Sequence, residues 1–174
     1  ANEIEEAKAI CDEHLAHTKN SIIALYISGM LNLKKRQLDN SALITLVNIF
    51  VDNHKTQIVT FLCEGILAED ESNKFALRTL IECYREEDDE RIWDVYEALV
   101  RLDYEEADIA KLIAENAEKN GDEEKAIEYY KKALLRYVGQ KHSNQIKELW
   151  KKLIRMIPDE IDFFYLVQRK IAKT

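Results

Sequence analysis

Cys11, His14 and His17 are the first residues of this chain whose types and spacing are those of metal ligands. Thiolate and imidazole both bind zinc, and residues three apart share a helix face, so two of the three can reach one ion. All three together spread over about 120° of a helix, and no fourth ligand is evident nearby. A packed Cys11 beside solvent-facing histidines is the simpler reading and the favoured one. Cys63 and Cys83 stand far from Cys11, and no C-x-x-C occurs. The thiols therefore point to a reducing, cytoplasmic setting rather than a disulfide framework. No Ser/His/Asp or Cys/His set, glycine-rich phosphate loop or nucleophile elbow has support in the spacing. The chain is expected to be no enzyme, and to hold no catalytic residue, cofactor or metal.

Charge offers a different chemistry. The formal net charge is −8 over 174 residues, but it is unevenly spread. Residues 82–108 hold 12 acidic and 3 basic side chains, including the run Glu86 to Glu90, whereas residues 131–174 hold 4 acidic and 11 basic ones. A dipolar array could steer partners; solvated helix faces with local ion pairs are the plainer and favoured account. Direct nucleic-acid binding is disfavoured, because the whole is acidic and lacks a long basic stripe with interleaved aromatics. Two opposite-charge pairs at helical spacing, Arg78 with Glu82 and Lys111 with Glu115, are the candidate binding residues. As ordinary intrahelical pairs each is worth ~0.3–0.5 kcal/mol.

These groups need elements to hold them. One proline, four glycines and a wealth of Ala, Leu, Ile, Glu and Lys favour helix throughout. Turn and cap signals recur at Asn20-Ser21, Asp39-Asn40, Asp52-Asn53, Ser72-Asn73, Asp88-Asp89, Asp103, Gly121-Asp122, Ser143 and Asp159. They predict ten helices over 3–18, 21–36, 40–51, 54–69, 73–86, 89–102, 105–119, 122–138, 143–157 and 159–172, paired into five hairpins. No stretch approaches the ~20 apolar residues of a membrane span. No linker divides the chain, so residues 1–174 read as one helical-repeat domain. A start at Ala1-Asn2-Glu3 without methionine suggests an excised N-terminal part of a longer protein.

Ile92, Tyr96 and Leu99 are echoed 34 residues later by Ala126, Tyr130 and Ala133. The register runs back to Ile58, Leu62 and Gly65 and forward to Phe164 and Val167. Gly121–Leu134 resembles the second helix of a tetratricopeptide unit, a helix–turn–helix that buries its apolar face by stacking on neighbours. Small Ala126 and Ala133 admit a close partner helix, with Tyr130 filling the space between them. The fit is best over 73–138. The resemblance implies an all-α, tetratricopeptide-like α-solenoid of about five helical hairpins in a right-handed superhelix, with first helices lining a concave groove. Arg78, Glu82, Lys111 and Glu115 would face that groove as a ladder. Glu82 and Glu115 stand where an asparagine would help grip a peptide's terminal carboxylate, which argues against that mode. Trp93, Tyr96, Tyr130, Trp150 and Phe164 are expected between hairpins, with Tyr129 and Phe163 on the surface.

The stretches Cys11–Tyr26, Asn73–Leu80 and Asp159–Phe164 resemble the helical N-terminal extension of long-form bacterial GreA-type transcription elongation factors. In that family, acidic residues at the tip of a long coiled-coil hairpin act within the RNA polymerase secondary channel. No such hairpin occurs here. The resemblance implies a non-enzymatic protein–protein interaction or scaffold region, with RNA polymerase or another transcription protein as partner. The alternative is a free-standing tetratricopeptide adaptor that binds peptides or client proteins outside transcription.

Overall fold

The computed structural model describes residues 2–37, 39–102 and 106–173. They form ten helices: α1 (Asn2–His17), α2 (Ile22–Lys34), α3 (Ser41–Asp52), α4 (Thr56–Glu69), α5 (Lys74–Glu87), α6 (Ile92–Leu102), α7 (Ala107–Lys119), α8 (Glu123–Gln140), α9 (Ser143–Met156) and α10 (Ile161–Ile171). No strand occurs among the described residues. The expected all-α architecture of successive helical hairpins is the one observed. The chain divides into two compact units, Ala1–Ile92 and Trp93–Thr174.

In the first unit each helix from α1 to α5 packs on the next, and α2 also meets α4. Leu43, Leu46, Val47, Val59, Cys63, Ile66, Leu77 and Leu80 are buried. Tyr84 donates to Glu64 at 2.7 Å, Arg91 pairs with Glu64 and Asp89 at 2.7 Å each, and the guanidinium lies 4.6 Å over the Tyr84 ring. This knot ties α4 to the turn after α5. Part of the acidic run is thus held locally, in line with the local-pair account of the charge.

In the second unit α8 is the central element. It packs on α7, α9 and α10. It also reaches α6, where Lys125 pairs with Glu97 at 2.6 Å and Arg136 donates to the Val100 carbonyl at 2.6 Å. Ala126, Tyr130, Ala133 and Leu134 are fully buried, as the repeat register requires. Tyr129, expected on the surface, is buried as well. The 100° step from Tyr130 leads to a second covered face, because α8 has neighbours on several sides; Lys132 then lies 4.3 Å over the Tyr129 ring. Phe163 is half-buried, edge-on to Phe164 and beneath Lys131.

The caps follow the sequence in part. Asn73 and Asp122 accept from the amides of Ala76 and Lys125, both at 3.1 Å. Ser21 and Asn40 precede α2 and α3 without a side-chain cap bond. Asn53 closes α3 by donating to Ile49 instead of opening α4, and Ser143 is the first residue of α9 rather than its cap. Asp103 lies outside the described residues. α6 starts three residues late, since Asp88 takes a left-handed conformation and Asp89 accepts from the Arg91 amide, forming a turn first.

Gly121 follows α7 at φ +79°, the left-handed region. An alanine there meets no neighbour, so its effect is purely conformational. Gly121→Ala is expected to destabilise the second unit by about 1 kcal/mol. Chemical denaturation followed by tryptophan fluorescence reads this unit alone, because both tryptophans, Trp93 and Trp150, lie in it. An unchanged midpoint would count against the left-handed turn.

Candidate interaction face

The face with the most developed side-chain chemistry joins α7 to α9. Lys111, Glu115 and Glu118 lie three and four residues apart, on one side of α7. Lys111 pairs with Glu115 at 3.7 Å within α7 and with Glu148 of α9 at 2.8 Å. Glu118 accepts from Lys152 of α9 at 2.5 Å and from the Tyr130 hydroxyl of α8 at 2.7 Å. The Lys152 ammonium also sits 4.5 Å over the Tyr130 ring.

The electrostatics follow from these contacts. The hydrogen bond from Lys152, then that from Tyr130, hold Glu118 below its ordinary value of 4.5. Burial pushes the Tyr130 hydroxyl up to about 12, so it stays a donor. The bond to Glu148 raises Lys111. Because the folded Glu118 is the stronger acid, its contribution to stability is complete above its unfolded pKa and is lost as pH falls through the depressed folded value. Tryptophan-monitored unfolding should therefore show an acid-sensitive increment below about pH 4.5 that Glu118→Gln lacks. An identical acid profile in the variant would mean that the rung does not hold in solution.

Of the sequence candidates, Lys111 and Glu115 are brought together, with Glu148 as an additional partner. Arg78 and Glu82 lie exposed on α5 in the first unit, where Glu82 is engaged by Arg85 at 2.7 Å. The two candidate pairs thus belong to different units. Glu118, Glu148 and Lys152 were not singled out as partners by the sequence reading. The signal was available: Glu118 and Lys152 carry opposite charge and stand 34 residues apart, the repeat length itself. Cys11 is buried and His14 and His17 are exposed. Among the described residues no three His, Cys, Asp or Glu side chains gather as metal ligands. No helix among them is long and apolar enough to cross a membrane.

Comparison with known proteins bears on the origin of this face. No family model matches the chain. A putative GreA-associated domains protein of Treponema pallidum (strain Nichols) is 54% identical over 170 residues, covering 98% of this chain and 26% of that protein. The chain is thus similar to one segment of that protein. Transcription elongation factor GreA of Borreliella burgdorferi is 34% identical over 170 residues, covering 97% of the chain and 19% of that factor. The chain spans about a quarter or less of the length of these curated relatives. The solved structure of YrrB, described as a TPR protein with an unusual peptide-binding site, is 16% identical with a TM-score of 0.41, covering 96% of this chain and 84% of that one.

Proposed function

We propose that the chain is a non-enzymatic protein-interaction region, the N-terminal extension of a GreA-type transcription elongation factor that acts on RNA polymerase. The observation that carries this reading is the likeness to both GreA-type relatives across nearly the whole chain. The helical hairpins support it, because stacked hairpins present extended faces without building an enclosed site. In this reading the downstream part of the protein carries the transcript chemistry, and the helical region holds a protein partner. Arg78 and Glu82 in one unit, and Lys111 and Glu115 in the other, are the proposed contact residues of their own units.

Affinity capture from a lysate of the producing cells, with the tagged 174-residue chain as bait, tests the reading. RNA polymerase subunits should be enriched over a tag-only control. Recovery of chaperones or unrelated clients, without polymerase, would favour the adaptor reading instead. Arg78→Glu is expected to reduce polymerase recovery without changing the helical content.

A further inference from the structure

The exposed side of α9 carries Lys147, Lys151 and Arg155, each four residues after the last. They line one groove together with Asn144, Glu148, Lys152, Met156 and Glu118. Lys152 is committed to Glu118, and Glu148 to Lys111. Among the described residues, Lys147, Lys151 and Arg155 are engaged in no ion pair or hydrogen bond. The fold pairs Lys111, Lys125, Lys131, Lys132 and Lys152 with carboxylates and, among the described residues, leaves this row of cations unanswered.

The spacing suits a particular ligand. Four residues of helix advance about 6 Å. In an extended polypeptide, side chains on one edge repeat every two residues, about 6.6 Å. Carboxylates at alternate positions of an extended segment therefore meet successive cations of the row. Asn144 at one end offers an amide to a peptide backbone, and Met156 at the other a soft apolar contact. Nucleic acid fits less well: among the described residues no aromatic side chain lines the groove to stack on a base, and Glu118 and Glu148 share it.

We propose that the Lys147–Lys151–Arg155 row of α9 docks an extended acidic segment of a partner protein, with carboxylates at alternate residues. This rests on the reading of the chain as a protein-interaction region and names the chemistry of its partner.

Fluorescence anisotropy with the 174-residue chain tests it. The probes are a short labelled peptide with glutamate at alternate positions, a peptide of the same composition with its glutamates contiguous, and a single-stranded oligonucleotide. The alternating peptide should bind most tightly and weaken as salt rises. Lys147→Ser, Lys151→Ser and Arg155→Ser combined, with folding checked by circular dichroism, should weaken it about tenfold or more. Equal affinity for the two peptides, tighter binding of the oligonucleotide, no peptide binding, or an unchanged affinity in the triple variant would overturn the proposal. So would concentration-dependent self-association that the triple variant abolishes, since the occupant would then be a second copy. If the triple variant still captures polymerase as the parent does, the docking row is wrong and the broader function stands. If the parent captures no polymerase, that function fails whatever the peptides do.

Discussion

Tyr130→Ala is expected to destabilise the second unit by ~3–5 kcal/mol, the range for removing a large aromatic from a packed core. Tyr130 is fully buried, at the centre of a helix covered on several sides. Two losses combine. The ring leaves a cavity that Ala126 and Ala133, already minimal, cannot fill by shifting a side chain. The hydroxyl leaves Glu118 with one donor fewer, and the ring face on which Lys152 rests disappears. Tyr130→Phe separates the two. It keeps the ring and the cation contact and removes one hydrogen bond to a charged acceptor, for an expected loss of about 1.5–3 kcal/mol. Glu118 is partly exposed, so water replaces much of that bond and the low end is expected. Denaturation followed by tryptophan fluorescence measures both. An alanine variant within about 1 kcal/mol of the parent would remove Tyr130 from the core.

Gly29→Ala is expected to destabilise the first unit, against the usual sign for such a change in a helix. In an open helix alanine gains about 1 kcal/mol over glycine. At Gly29 a methyl would sit 2.4 Å from Leu43 Cγ, 2.7 Å from its Cδ2 and 3.3 Å from its amide nitrogen. Leu43 is 2% exposed and lies in a helix that packs directly on α2, so it has little room to move. Overpacking of this kind costs about 1–3 kcal/mol, enough to exceed the propensity gain. Far-UV circular dichroism is the appropriate signal, because the first unit has no tryptophan. Combining Gly29→Ala with Leu43→Ala should cost less than the sum of the single changes, since the shortened partner admits the methyl. A stabilised Gly29→Ala protein would show that α2 and α3 stand farther apart.

The sequence made the helices and their pairing legible for a specific reason. Their apolar faces repeat at helical spacing, and the breaks between them carry Asn, Asp, Ser or Gly. Gly121, Asn73 and Asp122 act as their types suggest. The departures come from information that a single helix does not contain. Asp88 and Asp89 looked like one cap signal, but one ends α5 and the other shapes a turn before α6. Tyr129 looked exposed because a helical wheel assumes a single covered face, and α8 has neighbours on more than one. The groove pairs were read within their own helices, as i,i+4 spacing invites. Lys111 also answers a carboxylate on the next hairpin, a contact that only tertiary structure supplies. What distinguishes Lys147, Lys151 and Arg155 was equally out of reach. Their spacing was visible, but their lack of partners depends on which neighbouring carboxylates had been taken by other cations.

The bond between Glu118 and Lys152 gives the hairpins an order. The two residues occupy the same register position in successive repeats, one negative and the next positive. Copying residues 119–152 in tandem would keep that pair but set a second lysine after the first at the same position, so like charges would meet at the added interface. Loss of that segment would instead bring Glu118 beside whatever follows Lys152. Neighbours in this part of the array are therefore not interchangeable, and a lineage could lengthen or shorten it here by whole repeats only with a compensating change of charge.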